Sequence, residues 1–323
     1  MEPIPVIRSF VQSEALAALI AQEYDFGGPI ICKLFSKMIR TQDNDHYKII
    51  TSSGERYVAR VYQHGGHLER RRSDYEFELD WLNFLHEKGI PVAFPIPRKD
   101  GTFLGQLLAP EGIRYYAVFS YANGRKMNLD DENQLFACGQ QIARIHVVSN
   151  SYQPRYERHP MDLAFLVDKP LARIQRFWGD DPDKADELEL ITISAQEAKA
   201  EIQALIDNPY HTEDSWGPIG GDFHQASTYF DENNNPTFFN FDLCGMGWRA
   251  YDIASFLLNS GLMHRESPHA SEAFFAGYYQ VRPLSENEHA AISPFLTIRR
   301  IWLTSVFTVT EGLTGHSFIG PAS

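Results

Sequence analysis

The stretch IGGDFHQASTYFDENNNPTFFNFDLCG, residues 219–245, decides how this chain is read. STYF and TFFN are strand-like, and the DENNNP between them is turn chemistry, so the segment predicts a β-hairpin. Centring the turn between Asn233 and Asn234 pairs Ser227 with Asn240, with Cβ atoms roughly 4.5–5.5 Å apart. Asp242 shares a face with Asn240 if the strand continues, and Asp222 lies in the loop just before the first strand. One end of one hairpin thus collects Asp222, Ser227, Asn240 and Asp242. Taken alone, an Asp-rich loop beside a surface hairpin reads the same way, so the rest of the chain has to decide.

At 323 residues the chain is long enough for two lobes, and 43% hydrophobic with 22% charged residues is the composition of a globular protein. Lys and Arg number 29 against 42 Asp and Glu. No basic face for nucleic acid is expected from that balance. It suits a cationic small substrate, and equally serves solubility alone. Cys32, Cys138 and Cys244 are far apart and odd in number, which predicts neither a zinc site nor a disulfide framework. MEPIPVIRSF lacks the pattern of a signal peptide, and no apolar run approaches a membrane span; a cytoplasmic location is the expectation. Nothing in the sequence speaks to oligomeric state.

Along the chain, SEALAALIAQEY (13–24) predicts an amphipathic helix with Ser13 as N-cap. YKIITSSGERYVARVYQ predicts two strands joined by a Ser-Ser-Gly turn. SDYEFELDWLNFLHEKG follows as a helix with Ser73 and Glu76 as a capping box, an apolar stripe of Tyr75, Leu79, Leu82 and Leu85, and Gly89 as its stop. YYAVFSYANG (115–124) adds a strand. These make an α+β first lobe over residues 1–120. Helical patterns dominate residues 121–323, with the switch near SYANGRKMN (120–128). DENQLFACGQQIARIH puts Leu135, Cys138, Ile142 and Ile145 on one face, SAQEAKAEIQALID opens on a second capping-box pattern (Ser194, Glu197), and helix resumes from Arg249.

GGDFHQAS followed by FFNFDLCGMGWRAYDIA resembles the signature of the aminoglycoside phosphotransferase and choline kinase-like family, HGDxHxxN, a short hairpin, then IDFxxxGxGxxxYDLA. The order of elements is similar too. The resemblance is close over residues 217–258 and looser over most of the chain. It implies a protein-kinase-like bilobal fold with ATP between the lobes and Mg²⁺ on its phosphates. It implies that Asp222 orients or deprotonates an acceptor hydroxyl, and that Asp252 braces the loop carrying it. In YVARVY, Arg60 matches the phosphate-binding cation. Its partner is expected to be Glu78, at the edge of the buried stripe, because a carboxylate there needs a counter-charge; an ordinary ion pair is the alternative for both. RTQDNDHYKI resembles the loop over the phosphates, with Asn44, Asp45 and Tyr47 matching its N-D-x-Y pattern. VFSYANG is the implied hinge, where Ser120, Tyr121 and Ala122 offer backbone groups to adenine.

The departures fall at the chemistry. Gly220 stands where the family has His, Ser227 where it has Asn, and Asn240 where it has a metal-binding Asp. Mg²⁺ is usually held by carboxylates, phosphate oxygens and water, and Ser and Asn supply only neutral oxygens. Asp242 or Asp222 could take the ion instead, or nucleotide phosphates could supply the charge. His224 either contacts substrate or phosphate or is a local hydrogen-bonder. Beside a purely structural interaction protein that binds no nucleotide, two functions follow. One is an ATP-dependent phosphotransferase acting on a small-molecule hydroxyl. The other is a degenerate relative that binds nucleotide, metabolite or a protein partner without turnover. The segment 150–215 and the final helices are expected to line the acceptor pocket, and Asp180, Asp181 and Asp183 within that segment favour a cationic acceptor.

Overall fold

The computed structural model describes residues 4, 6, 8–35, 44–63, 70–205, 214–264 and 269–314. The first half is built on an antiparallel sheet of β1 (Ile30–Leu34), β2 (Asp45–Thr51), β3 (Arg56–Val61), β4 (Gly105–Ala109) and β5 (Gly112–Ser120), in the order β1-β2-β3-β5-β4. β2 and β3 are joined by the Ser-Ser-Gly turn expected from sequence, with Gly54 at φ 87°. Glycine adopts such a value without strain. Along β2, Asp45, Tyr47, Ile49 and Thr51 are buried in strict alternation, the two-residue period of a half-covered strand.

Two helices cover the two faces. α1 (Ser13–Glu23) packs Leu16 and Ile20 on Tyr47, Ile49, Ala59, Val61 and Val118. Its N-cap is Gln12, so Ser13 is the first helical residue rather than the cap. α2 (Arg72–Glu87) joins the other face to the helical half, and Phe77, Leu79, Trp81 and Leu82 share one core with Ile142, Ile219 and Phe241. α2 starts earlier than the expected Ser73–Glu76 box. Asp74 accepts the Arg71 backbone N–H at 2.7 Å, and that bond closes the first turn in its place. Gly89, at φ 76°, ends the helix as expected.

β6 (Arg125–Lys126) pairs with β8 (Thr228–Phe230), which pairs with β9 (Pro236–Phe238); β7 (Trp216–Ile219) pairs with β10 (Gly245–Trp248). Around these ribbons lie α3 (Glu132–Ser149), α4 (Lys169–Trp178), α5 (Ala185–Leu205), α6 (Arg249–Asn259), α7 (His269–Val281) and α8 (Glu286–Thr314). The stripe Leu135, Cys138, Ile142, Ile145 is wholly buried, as its spacing requires. α3 and α7 cross closely enough that a Cβ on Gly139 would strike the Phe274 carbonyl, and one on Gly277 that of Phe136. Ser194 and Glu197 do not open a helix. They lie inside α5, which begins at Ala185 because the apolar pattern runs on upstream.

The hairpin register also differs from expectation. Thr228 faces Phe238 and Phe230 faces Pro236. Ser227 therefore meets Phe239, whose N–H it accepts at 3.0 Å, and not Asn240. The cause is the turn: Asn234 takes φ 62°, and Asp231 accepts the amides of Asn233 and Asn235, which centres the loop on Asn233 alone. A shift of one residue reverses which face a strand side chain joins. The strand then ends, since Asn240 sits at φ 69° and Asp242 lies in a turn. Neither shares a strand face with Ser227.

Candidate functional site

The loop between β7 and β8 carries Asp222. Asp252, fully buried on α6, accepts the Gly220 N–H at 2.8 Å and the Gly221 N–H at 2.7 Å, and lies 3.1 Å from His146 Nε2. Burial pushes the Asp252 carboxyl up, to about 7, against the pull of those amides and of Arg249. Gly221 needs its freedom here: it takes φ 76° with the Leu243 carbonyl and Met161 side chain against it. The space that a histidine would need at position 220 is filled, because a Cβ there would lie 2.5 Å from the Phe223 ring. That ring packs edge-on against Phe238 and Phe241.

Asp222 itself is aimed by two side chains that sequence reading did not single out. Arg299 of α8 forms an ion pair with its Oδ1, and Asn259 at the end of α6 donates to the same oxygen at 2.9 Å. Burial works against the Arg299 charge, but Asp222 and Tyr251 more than compensate and hold its pKa up. One signal for Arg299 did exist: it falls on the spacing of the buried residues Ile292, Phe295 and Trp302, so a charge was bound to enter the core. His224 lies alongside, its Nδ1 accepting the Ala226 N–H at 3.2 Å, and burial holds its imidazole below the ordinary range. Its carbonyl takes the Ser227 hydroxyl at 3.1 Å.

Across the cleft, Arg60 on β3 meets Glu78 on α2 at 2.5 Å, as its place on the stripe required. Tyr62 donates to the other Glu78 oxygen at 3.1 Å. Glu78 is fully buried and Arg60 4% exposed, yet Arg60 Nε has no hydrogen-bond partner. A buried donor left open is a place for an anionic oxygen. Of the loop matches, residues 40–43 lie outside the described residues. Asn44 is spent on bridging: its Nδ2 donates to Asp242 at 3.0 Å, and its Oδ1 accepts the Gln63 N–H at 3.0 Å. Asp45 and Tyr47 lie in β2. Asp45 is paired with Arg114 at 2.7 Å, and the Tyr47 hydroxyl donates to the Val11 carbonyl. At the expected hinge, the Ser120 N–H is committed to the Phe94 carbonyl at 2.8 Å. Tyr121 follows the strand with Arg56 over its ring, and Ala122 comes next.

Asp242 gathers cations. Arg70 lies 3.4 Å from its Oδ2, and Arg158 donates to its carbonyl at 2.6 Å. Burial pushes its carboxyl up, but Arg70, Arg60, His46 and Arg158 outweigh that and hold it below the ordinary carboxylate range. This donor set does not fit a resident Mg²⁺. Ser227 and Asn240 are neutral, and a dication approaching Asp242 would meet three guanidinium groups. Among the described residues no three His, Cys, Asp or Glu are grouped to hold a metal.

Compared with known proteins, residues 39–291 match the model of the phosphotransferase enzyme family. The chain belongs to that family. An uncharacterized protein of Synechocystis sp. is 30% identical over 98% of this chain and 83% of its own. A homoserine kinase of Agrobacterium fabrum is 26% identical over 72% and 71%. Among solved structures, an amicoumacin kinase in complex with AMP-PNP, Ca²⁺ and amicoumacin superposes with a TM-score of 0.73, covering 94% of this chain and 88% of that one, at 20% identity. The kinase-like bilobal architecture expected from the hairpin is thus the observed one. No helix among the described residues is long and apolar enough to cross a membrane.

Proposed function

We propose that this protein transfers the γ-phosphoryl group of ATP to a hydroxyl of a small molecule. The observation that carries the reading is the doubly held Asp222. With Oδ1 taken by Arg299 and Asn259, Oδ2 is the oxygen left to accept the proton of an attacking hydroxyl. A base so placed gives about 10²–10⁴-fold in rate, and the remainder comes from positioning and charge neutralisation. In this reading Arg60, fixed by Glu78, binds phosphate, Tyr121 and Ala122 meet the base of the nucleotide, and residues 1–120 and 121–323 act as the two lobes. The homoserine kinase and amicoumacin kinase relatives support a small hydroxyl-bearing acceptor. Asp180, Asp181 and Asp183, in the turn between α4 and α5, would favour a cationic one. Replacing all three should weaken binding of an amino alcohol.

A second reading, binding without turnover, is favoured by the neutral pair Ser227 and Asn240. The test is release of ADP from ATP across a panel of amino alcohols, homoserine and aminoglycosides. Turnover that disappears in Asp222→Asn supports transfer. ATP binding with no turnover on any acceptor supports the second reading.

A further inference from the structure

Where family members hold ATP through a divalent ion, the carboxylates that recruit the ion also repel bare phosphates, and the ion is what reconciles them. This chain has changed both sides of that arrangement. Asn240 places a neutral amide at the expected metal-binding position, and its φ of 69° is a conformation that Asn tolerates. Ser227 is 2% exposed, with its hydroxyl turned to the His224 carbonyl. Around Asp242, two residues on from Asn240, Arg60, Arg70 and Arg158 concentrate positive charge. Arg158 is spent on the carbonyls of Asp74 and Asp242, at 2.8 and 2.6 Å, so it supplies field rather than contact. Arg60 keeps an unpartnered, buried Nε. Arg70 touches Asp242 at 3.4 Å, well beyond the roughly 2.7–2.9 Å of a good charge-assisted bond. Its planar fork is able to exchange that loose contact for two phosphate oxygens.

We propose that the cleft binds a nucleoside triphosphate through Arg60 and Arg70 without a divalent cation, Arg70 taking the charge-neutralising place of the metal. This rests on the reading of the cleft as a nucleotide site, which transfer and binding without turnover share. Asp242 then serves as the resting counter-ion of Arg70. His46 adds no charge at neutral pH, because burial and Arg60 lower its pKa to about 4.

Calorimetric titration of the whole protein with ATP, once in excess EDTA and once in Mg²⁺, tests this. The expected result is equal affinity within about threefold. Arg70→Gln should weaken binding in EDTA by roughly tenfold or more, the loss of one charge-assisted contact. Asn240→Asp should weaken binding in EDTA by a similar factor and make Mg²⁺ restore it; circular dichroism confirms that each variant is folded. Binding by the unaltered protein that tightens tenfold or more with Mg²⁺ overturns the inference and leaves the phosphotransferase reading standing. Binding in neither buffer overturns both. Arg70→Gln binding as the unaltered protein does in EDTA overturns the role given to Arg70.

Discussion

The guanidinium of Arg299, on α8, holds the carboxylate of Asp222, 77 residues earlier in the chain. Arg299 is 1% exposed, while Asp222 reaches the cleft. One oxygen of the candidate base is therefore fixed from inside the core. Arg299→Met should cost roughly 1.5–3 kcal/mol in unfolding free energy, the loss of a hydrogen bond to a charged group whose carboxylate stays partly exposed and keeps Asn259. In the folded fraction, kcat should fall while KM for ATP holds, because Arg299 aims the base and does not touch the nucleotide. Arg299→Lys should recover part of kcat. A fall in ATP affinity with kcat intact would refute the aiming role.

Arg60 and Glu78 form a pair buried on both sides. Glu78→Ala leaves an uncompensated guanidinium and should destabilise the protein by about 3–5 kcal/mol. The double change Arg60→Met with Glu78→Met should cost far less, since no charge is stranded. Both variants should lose ATP binding. Urea denaturation with calorimetry separates structural from binding effects, and a double variant that still binds ATP would remove Arg60 from the site.

Restoring the family pattern should move the chemistry in a stated direction. Ser227→Asn with Asn240→Asp should raise Mg²⁺-dependent turnover, because the second change supplies the missing carboxylate. A restored variant that is folded, binds ATP and stays inactive would favour binding without turnover.

Position 220 resists the same repair. The Phe223 ring stands 2.5 Å from where a Cβ would go, so Gly220→His overpacks the hairpin core and should cost about 1–3 kcal/mol. A thermal shift showing no loss of stability would mean that the ring yields freely.

The thiols should be silent in the native protein. Burial pushes Cys32 to about 11 and Cys244 to about 12, and raises Cys138 as well, so almost no thiolate exists at pH 8. Ellman's reagent should label none of the three in buffer and all three in guanidinium chloride. Rapid labelling of the folded protein would place a cysteine outside the core.

By itself the sequence determined whatever rests on short-range pattern. Tyr75, Leu79, Leu82 and Leu85 declared α2 and placed Glu78 beside a buried stripe, so a partner such as Arg60 was required by the sequence. Leu135, Cys138, Ile142 and Ile145 did the same for α3. The paired motifs around Asp222 and Asp252 carried the family and its bilobal fold. Helix starts were less legible: Asp74 capping the Arg71 amide and Gln12 preceding α1 are choices among neighbouring polar residues that differ by about 1 kcal/mol.

Only the tertiary structure decided the rest. The hairpin slipped one residue because Asp231 captured the amides of Asn233 and Asn235, and that slip separated Ser227 from Asn240. Phe223 filled the place of a histidine. Arg299, Asn259 and Arg70 reached Asp222 and Asp242 across long stretches of chain, through contacts that no local periodicity encodes. Which charge ends beside which carboxylate is set by how helices and strands pack, and those long-range pairings decide the electrostatics around Asp222 and Asp242.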